Sequence, residues 1–574
     1  MIPELMVTTG KELVLEIRMK EEISQLEEVV IKALTKKDRP LNSMATVSAR
    51  TFSVEEARRY AGGFDDPGRL VSSFAGVTTE CSRDNTIVIR GNSPKGLLWR
   101  LDGVEVPNPS HFANTATFGG GGITALSALV VGNSDFYTGA FPAEYGNAVS
   151  GVFDIKLRTG NNEKYEHAFQ LGTMGIDISS EGPLGKDTRA SYLFNYRYST
   201  MGLIKVFFPP EIKDFVPVYQ DLCFKFNVPT RRAGIFSMWG LASDDHQSQL
   251  AEQDSSLWVM DEDRFNGWFS QQVGALGFNH KYLFRNEAIL STSVAWTGNT
   301  MKLSTEVIGD DMSFYDFDHI DALNYKYTLT SVYNRKFGAG HTNRTGFIAD
   351  NMHYRTLLEH APAFGLDMMT VADEIAASNI FQVFTQSRIT LPGNLTINAG
   401  LHGHYFDLNG EFVLEPRLGI TRTLGKSQAI SLAYGKHSSL EPLSFYYAGV
   451  YGPTGKTYPN KDLEVLKSHH LVLAYDISFN PSLRLKIEPY IQFLYDVPVI
   501  PDSSFSTINF EADWYFNRPL VNTGTGRNTG IDVTLERFLK DGYYYLFTAS
   551  LFDSRYTGDD GIERSTRFNT GYVL

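Results

Sequence analysis

A chain of 574 residues with a formal net charge of −13 carries no concentrated Lys and Arg surface, which argues against nucleic acid as a partner. Charged residues make up 20% of it, while 50 glycines, 29 tyrosines and 39 phenylalanines favour strands and tight connections over helices, so the expected class is all-β. No stretch of about 18 apolar residues is present, which excludes a helical membrane span. It says nothing of a barrel, whose alternating strands average to a near-neutral mean hydropathy such as the −0.20 found here. Cys81 and Cys223 stand far apart with no metal-ligand cluster around either, so neither a zinc site nor a disulfide framework is expected.

The start, Met1-Ile2-Pro3-Glu4, lacks the charged and apolar regions of a secretory leader; a leader already removed, or a start inside a longer protein, is the expectation. Leu13, Leu15, Ile17 and Met19 share one face of a strand that needs partners from elsewhere. Glu27 to Ala33 is a short β-prone run, followed by a polar linker through Lys36, Lys37, Asp38, Arg39 and Pro40. From residue 41 to 160 short strands, a few helical turns and many glycines predict a compact α+β domain, with Asp66-Pro67 as a capped helix start.

After residue 160 the texture is repetitive: strands of about ten residues joined alternately by tight turns and long loops. Leu471, Leu473, Tyr475, Ile477 and Phe479 share one face; beyond Asn480-Pro481-Ser482, so do Leu483, Leu485, Ile487, Ile491, Phe493 and Tyr495, opposite Arg484, Lys486, Glu488, Gln492 and Asp496. Leu395, Ile397, Ala399, Leu401 and Tyr405 alternate likewise with Thr396, Asn398, Gly400, His402 and His404, and Tyr545, Phe547, Ala549 and Leu551 repeat the pattern after Lys540-Asp541-Gly542. Long connections are expected at residues 243–265, 306–322, 444–463 and 497–527. Periodicity alone fits either a soluble β fold with the apolar face inside or a membrane barrel with that face on lipid. Strand length and tyrosines near strand ends favour lipid.

Between Ile87 and Gly160 the residues resemble, in order and roughly in spacing, the plug domain of TonB-dependent outer-membrane receptors. Ile87-Val88-Ile89-Arg90-Gly91 is similar to that family's "IRG" strand, Leu101-Asp102-Gly103-Val104 to its "LDGV" strand, Glu144-Tyr145-Gly146 to its "LYG" turn, and Gly151 to Leu157 to the "GGVINI" strand that ends the plug. The stretches Asn92 to Arg100 and Gly139 to Gly146 look like a Bacteroidetes-type branch, in which a carboxypeptidase-regulatory-like domain precedes the plug. The resemblance implies four parts: residues 1–26 as a remnant of that β-sandwich domain, 27–40 as Ton box and linker, 41–160 as plug, and 161–574 as an antiparallel transmembrane barrel. The family's barrel has 22 strands. At about 25 residues per strand and loop, the chain after residue 160 allows about 16, so an incomplete ring with an unpaired edge is expected.

The resemblance also implies partners and roles. Glu27, Glu28, Val29, Val30 and Ile31 resemble the Ton box, an extended segment that would add as a strand to the C-terminal domain of TonB, itself energised by ExbB and ExbD; the other reading is an ordinary strand end. Arg90, Gly91, Asp102, Gly103, Glu144, Tyr145 and Gly146 are candidates for plug–barrel contact, the charged ones holding and releasing the plug and the glycines serving turns or close approaches. The loop from Pro107 to Gly122, with His111 and Phe112, is expected to face outside and touch ligand, or else to be a mobile loop. Tyr446, Tyr447, Tyr451, Trp514 and Tyr515 are further ligand candidates, with girdle packing as the competing role.

The acidic run Asp310, Asp311, Asp316, Asp318 and Asp321 lacks the EF-hand pattern and reads as solvated charge, and His402 with His404 as a lumenal polar pair. No metal or cofactor is expected. No catalytic constellation emerges, so an enzyme is the least expected class. The leading expectation is TonB-dependent import of a siderophore, cobalamin, glycan or peptide across the outer membrane, with lipid as a further partner and a surface lipoprotein as a candidate one. An outer-membrane receptor that binds or signals without transport, and a soluble β-rich adhesion protein, are the alternatives.

Overall fold

The computed structural model describes residues 40–52, 63, 66–79, 86–114, 119–172, 175–186, 188–204, 207, 216–363, 365–453, 455–510 and 516–574. The strand read at Leu13 to Met19, the run from Glu27 to Ala33, and Cys81 lie outside these residues.

Seven short strands precede the barrel: β1 (Ala49–Phe52), β2 (Val77–Thr78), β3 (Val88–Ile89), β4 (Leu97–Leu101), β5 (Val104–Glu105), β6 (Ser134–Tyr137) and β7 (Gly151–Ile155). Five of them form one sheet in the order β1-β6-β7-β4-β5, and β2 pairs with β3 apart from it. β4 and β7 run parallel, Leu97 opposite Gly151, and every residue of both is buried. Aromatic rings carry the core: Trp99 stacks on Phe153 at 4.9 Å, and Phe136 and Phe52 meet the same ring edge-on at 5.2 and 5.3 Å. The β4–β5 hairpin turns through Asp102 and Gly103, with φ of 46° and 95°. A two-residue hairpin needs positive φ at both positions, and Asp-Gly supplies it at the least steric cost. The short helix α1 (Pro67–Val71) starts as expected, Asp66 accepting from the Gly68 N–H at 2.7 Å with Pro67 in the first turn.

The remaining strands are β8 (Glu166–Gly172), β9 (Gly175–Pro183), β10 (Ser191–Tyr198), β11 (Val218–Pro229), β12 (Ile235–Gln249), β13 (Phe265–Leu283), β14 (Ile289–Ile308), β15 (Phe314–Gly338), β16 (His341–His360), β17 (Met369–Leu391), β18 (Leu395–Phe406), β19 (Glu411–Leu424) and β20 (Gln428–Ser439). A small hairpin, β21 (Val450–Gly452) and β22 (Gly455–Thr457), sits in the next loop, before β23 (Leu466–Asn480), β24 (Leu483–Val499), β25 (Val521–Lys540), β26 (Tyr543–Thr557), β27 (Glu563–Ser565) and β28 (Tyr572–Val573). Apart from the loop hairpin they form one closed ring of nineteen strands in which β8 follows β28 and β9 neighbours β10. The expected open edge is therefore corrected. Two very short strands, β27 and β28, both pair with β26 and complete the ring.

Connections at one end are tight, such as residues 339–340, 481–482 and 541–542; those at the other include residues 250–264, 440–465 and 500–520. The loop expected at 306–322 is a turn of only residues 309–313, because β14 and β15 run on as paired strands and carry Asp316, Asp318 and Asp321 within β15. Those acids thus do not form a loop cluster, and among the described residues no group of His, Cys, Asp and Glu has metal-site geometry.

Along the strands the apolar face points out. On β17, Ile375 is 81% exposed and Phe381 and Val383 are exposed, while Glu374, Ser378, Gln382 and Gln386 between them are buried. Leu401, Leu471, Leu473, Phe493, Phe547 and Leu551 likewise face outward, and Asn398, His402, His404, Glu488 and Gln492 inward. A soluble fold with its apolar faces inside is thereby ruled out for this chain.

Where β12 meets β13, Trp239 lies fully buried opposite Gly277, and a Cβ on Gly277 would stand 2.3 Å from the indole ring. The ring covers bare backbone. Gly277→Val is expected to displace Trp239 and destabilise the fold by about 1–3 kcal/mol, whereas Gly267→Val on the same strand, where a Cβ meets nothing nearer than 3.9 Å, is tolerated. Thermal unfolding of the two variants in detergent checks this.

Candidate functional site

The seven-strand domain fills the ring, and the chemistry lies where its polar groups meet the inward faces of the strands. Buried charge survives only when paired or hydrogen-bonded, and three stretches of wall supply the partners.

The first is β24 to β26. Arg90 is fully buried; its Nε donates to Asp532 Oδ2 at 2.9 Å, its Nη2 to Ser48 Oγ at 3.0 Å, and its guanidinium lies 4.1 Å from the Tyr490 ring centroid. Arg90 and Gly91 both have positive φ, 53° and 75°, which places Gly91 directly on Ser554; a Cβ there would lie 2.6 Å from the serine Cβ. Next to it, Asn92 donates to Gln492 Oε1 and accepts from Asn528, each at 2.7 Å. Ser48 N–H donates to Glu488 at 2.7 Å, and Arg50 pairs with Glu536 at 2.8 Å.

The second is β10 to β15. Asp102 pairs with Lys225 at 2.7 Å, and its carbonyl accepts from Asn279 at 3.1 Å; Glu105 pairs with Lys326 at 2.8 Å. Gly103 turns the hairpin and makes no ligand-like contact. His111 was expected to touch ligand from an outward-facing loop; near the loop ends of β11 and β12 it instead packs against the wall. Its ring is fully buried, with Nε2 3.0 Å from Asp221, Nδ1 against Asp245, and the tilted ring of Tyr219 4.3 Å away. Burial works against its protonation, but Asp245 and Asp221 outweigh this and hold the imidazolium above the ordinary histidine value. Arg197 also engages Asp221, at 2.7 Å, and reaches the Thr124 carbonyl, while Asp66 accepts from Thr124. The loop is thus a clasp on the wall. Phe112 is half-buried, 6.2 Å from Phe269.

The third is β16 to β20. Glu144 is held by Arg344 of β16, by Arg100 at 3.2 Å and by Asn42 at 2.6 Å. Tyr145 donates to Asp154 at 2.9 Å inside the plug. Gly146 is a close approach: a Cβ would stand 2.2 Å from Gln382 Oε1 and 2.4 Å from His402 Nε2. The backbone around it is read by the wall, with Arg417 donating to the carbonyls of Phe141, Pro142 and Tyr145 and Gln386 accepting from Ala143.

At the looped end an apolar cluster of Phe406, Phe445, Tyr446, Leu463, Phe510, Phe516 and Leu520 joins residues 443–463 to 500–520. Tyr446 is fully buried in it, so its expected ligand contact is replaced by packing. Tyr447 is half-buried and Tyr451 is 66% exposed; Lys456 and Lys461 lie over the rings of Tyr447, Tyr451 and Tyr458 at 4.8 to 5.6 Å. Trp514 and Tyr515, like Glu27, Glu28, Val29, Val30 and Ile31, lie outside the described residues.

Sequence reasoning missed the wall partners Asp532, Lys225, Asp221, Asp245, Arg344 and Arg417. Their one signal is parity: each sits on the polar face of an alternating strand.

Burial raises the carboxyl of Glu144, but Arg344 and Arg100 outweigh it and hold it down at about 2. A carboxylate depressed in the folded state contributes stability that is whole above its unfolded value and lost as pH falls through the folded one. Stability is therefore expected to decline between about pH 4.5 and pH 2. Glu144→Gln is expected to cost about 3 kcal/mol at neutral pH and to flatten that decline, as followed by unfolding in detergent at stepped pH.

A scan of family models and a search of curated proteins each find no match. Solved structures do match. The ferric enterobactin receptor of Pseudomonas aeruginosa aligns at 14% identity over 89% of this chain and 83% of that one, with a TM-score of 0.61. The outer membrane transporter YddB of Escherichia coli aligns at 14% over 93% and 84%, TM-score 0.64, and the pyoverdine outer membrane receptor FpvA of Pseudomonas aeruginosa at 11% over 91% and 79%, TM-score 0.65. At these identities the likeness is one of fold: this chain has the plug-filled β-barrel of those receptors and transporters.

Proposed function

We propose that this chain is an outer-membrane receptor that imports a scarce nutrient under TonB. The observation that carries the reading is a ring of strands with an apolar outer face and a lumen stopped by a folded domain. An apolar band around a barrel suits lipid. A lumen stopped by protein suits gated passage of something larger than an ion.

Residues 41–160 act as the plug and 161–574 as the barrel. The mouth between the long loops takes the solute, with Tyr447, Tyr451 and Tyr458 offering ring faces and Lys456 and Lys461 charge. Residues 27–31 act as the Ton box. An extended peptide that adds to a partner's sheet grips through main-chain hydrogen bonds, so pulling there loads the chain just before Ser48 and Arg50. Arg90, Asp102 and Glu144 hold the plug until then. The stretches Asn92 to Arg100 and Gly139 to Gly146, of Bacteroidetes type, support a preceding carboxypeptidase-regulatory-like domain, and a surface lipoprotein is a further candidate partner. The fold of the compared receptors fits a ligand of the siderophore class, and cobalamin, glycans and peptides share the same chemistry of ring faces and charge. Nothing in the site calls for catalysis.

Uptake of labelled ferric chelates, cobalamin, oligosaccharides and peptides by cells carrying the full-length protein or its Val30→Pro variant, at matched surface levels, tests the proposal. Proline removes one donor from the pairing strand. Uptake of one compound is expected to fall to the level of cells lacking the protein while surface binding persists. Unchanged uptake of every compound, with binding retained, would replace import by a binding or signalling role.

A further inference from the structure

The plug segment from Gly139 to Asn147 is held through its backbone as well as through Glu144, Phe141 and Asn147, and one backbone holder is an imidazole that must stay unprotonated. His470 of β23 accepts the Ala140 N–H at Nδ1, 3.3 Å away. His402 of β18 donates from Nδ1 to the Ala143 carbonyl at 2.8 Å, and Asn147 accepts from Leu440 N–H at 2.9 Å. Phe141 inserts between strands: His437 of β20 packs on its ring at 4.0 Å, His470 meets it edge-on at 6.0 Å, and Arg417 of β19 lies 5.3 Å from its centroid. The rings of His437 and His470 are 4.5 Å apart. Both are fully buried, and neither nitrogen of His437 has a hydrogen-bond partner among the described residues.

The charges facing this pair are mostly positive. Arg417 stands beside both rings, one strand from His437 and two from His470, with its pairing row running through Gly435 to His470. Arg90 faces His470 from the plug, since a Cβ on Gly139 would lie 2.7 Å from Arg90 Nη1 and 3.6 Å from His470 Nδ1. His402 and His469 also face the pair from β18 and β23, and Lys436 and Lys467 lie further along the same strands beside His404. The nearby carboxylate, Glu415, is already held by Arg417 at 2.6 Å and by Ser438. Arg90 has its own partner in Asp532.

We propose that His437 and His470 make the hold on this plug segment acid-labile, so that the segment leaves the wall as the pH falls through the histidine range. A proton on His470 Nδ1 turns the acceptor of the Ala140 N–H into a second donor, and the bond is lost. A proton on His437 puts a cation against His470 and Arg417 with no free carboxylate to meet it. Phe141 returns some cation–π attraction, but its ring already faces the Arg417 guanidinium. Once the segment withdraws, water reaches both imidazoles, so proton uptake favours withdrawal. The onset is near the ordinary histidine value, about 6.5, well above the window in which Glu144 titrates. The inference rests on the contact of plug and wall and stands whether or not the chain imports anything.

Amide hydrogen exchange of the full chain in detergent micelles, corrected for the pH dependence of intrinsic exchange, tests it at pH 7.5 and pH 5. Protection of the amides from Gly139 to Asn147 is expected to fall about tenfold or more at the lower pH, while β4 and β7 keep theirs. In His437→Phe/His470→Asn, phenylalanine keeps the stack and the asparagine oxygen keeps the acceptor, and the fall is expected to disappear. His470→Asn alone, should the pair of changes not fold, is expected to reduce it. Equal protection at both pH values in the unaltered protein, an undiminished fall in the variant, or equal loss from β4 and β7 would each overturn the proposal.

Discussion

A ring of nineteen strands, the long ones alternating, cannot fill its own interior. Eight strands enclose about as much space as side chains can occupy, and the lumen of this ring is more than twice as many strands round. With the apolar residues turned outward, what faces that space is Asn, Gln, His, Arg, Asp and Glu. Such a wall must meet either water or a complementary polar body. The plug is that body, and most of the unusual features of the chain follow from the match. β4 and β7 are buried on both faces although they belong to a five-stranded sheet, because Trp99 and Phe153 lie in the aromatic core on one face while Leu98 and Val152 pack on Tyr137, Phe141 and Tyr145 on the other.

The match is electrostatic in its key contacts, and this sets how the plug is held. Arg90 with Asp532, Asp102 with Lys225, His111 with Asp221 and Asp245, and Glu144 with Arg344 each place one charge on the plug and its counterpart on the barrel. Desolvation consumes much of what such pairs gain, so they add little to stability over an apolar interface but strongly penalise any wrong register. A plug fixed by such pairs has one seat, and once a pair opens each charge finds water. This interface is specific without being greasy, which suits a body that must leave its seat and return.

Much of the architecture is legible from the sequence because it is written locally. The alternation in Leu471 to Tyr495 and in Leu395 to Tyr405 marks strands, and the Asp102-Gly103 and Lys540-Asp541-Gly542 turns mark hairpins, since each depends on neighbours within a few residues. The partners do not. Arg90 and Asp532 are 442 positions apart, and nothing near either names the other. The burial of His111 was hidden for the same reason: a histidine in a glycine-rich loop looks free until Asp221 and Asp245 close on it. Tyr446 could be read only as ligand contact or as packing, because aromatic loop residues look alike whether they meet ligand or, as here, Phe406 and Phe445. Ring closure was missed because β27 and β28 are too short to show any alternation.

The two ends of the plug differ in what they touch. Toward the tight turns, Ser48 and Arg50 meet Glu488 and Glu536 beside the edge strand β1, whose only sheet partner is β6. Toward the long loops, Lys95 meets Glu441, whose carboxylate also accepts from Thr507 at 2.8 Å. Burial pulls the Lys95 ammonium below its ordinary value even with Glu441 beside it, so this pair sits in a poorly solvated place. Glu441 therefore joins three bodies at one point: the plug, the end of β20, and the loop of residues 500–520. That loop belongs to the apolar cluster built on Phe445 and Phe516, so a displacement of the cluster is passed to Lys95 by a buried ion pair and not by solvent-filled space. The mouth and the plug are consequently one mechanical unit on this side, while the opposite end is tied by an edge strand of four residues whose last side chain, Phe52, reaches Phe153 in the sheet core.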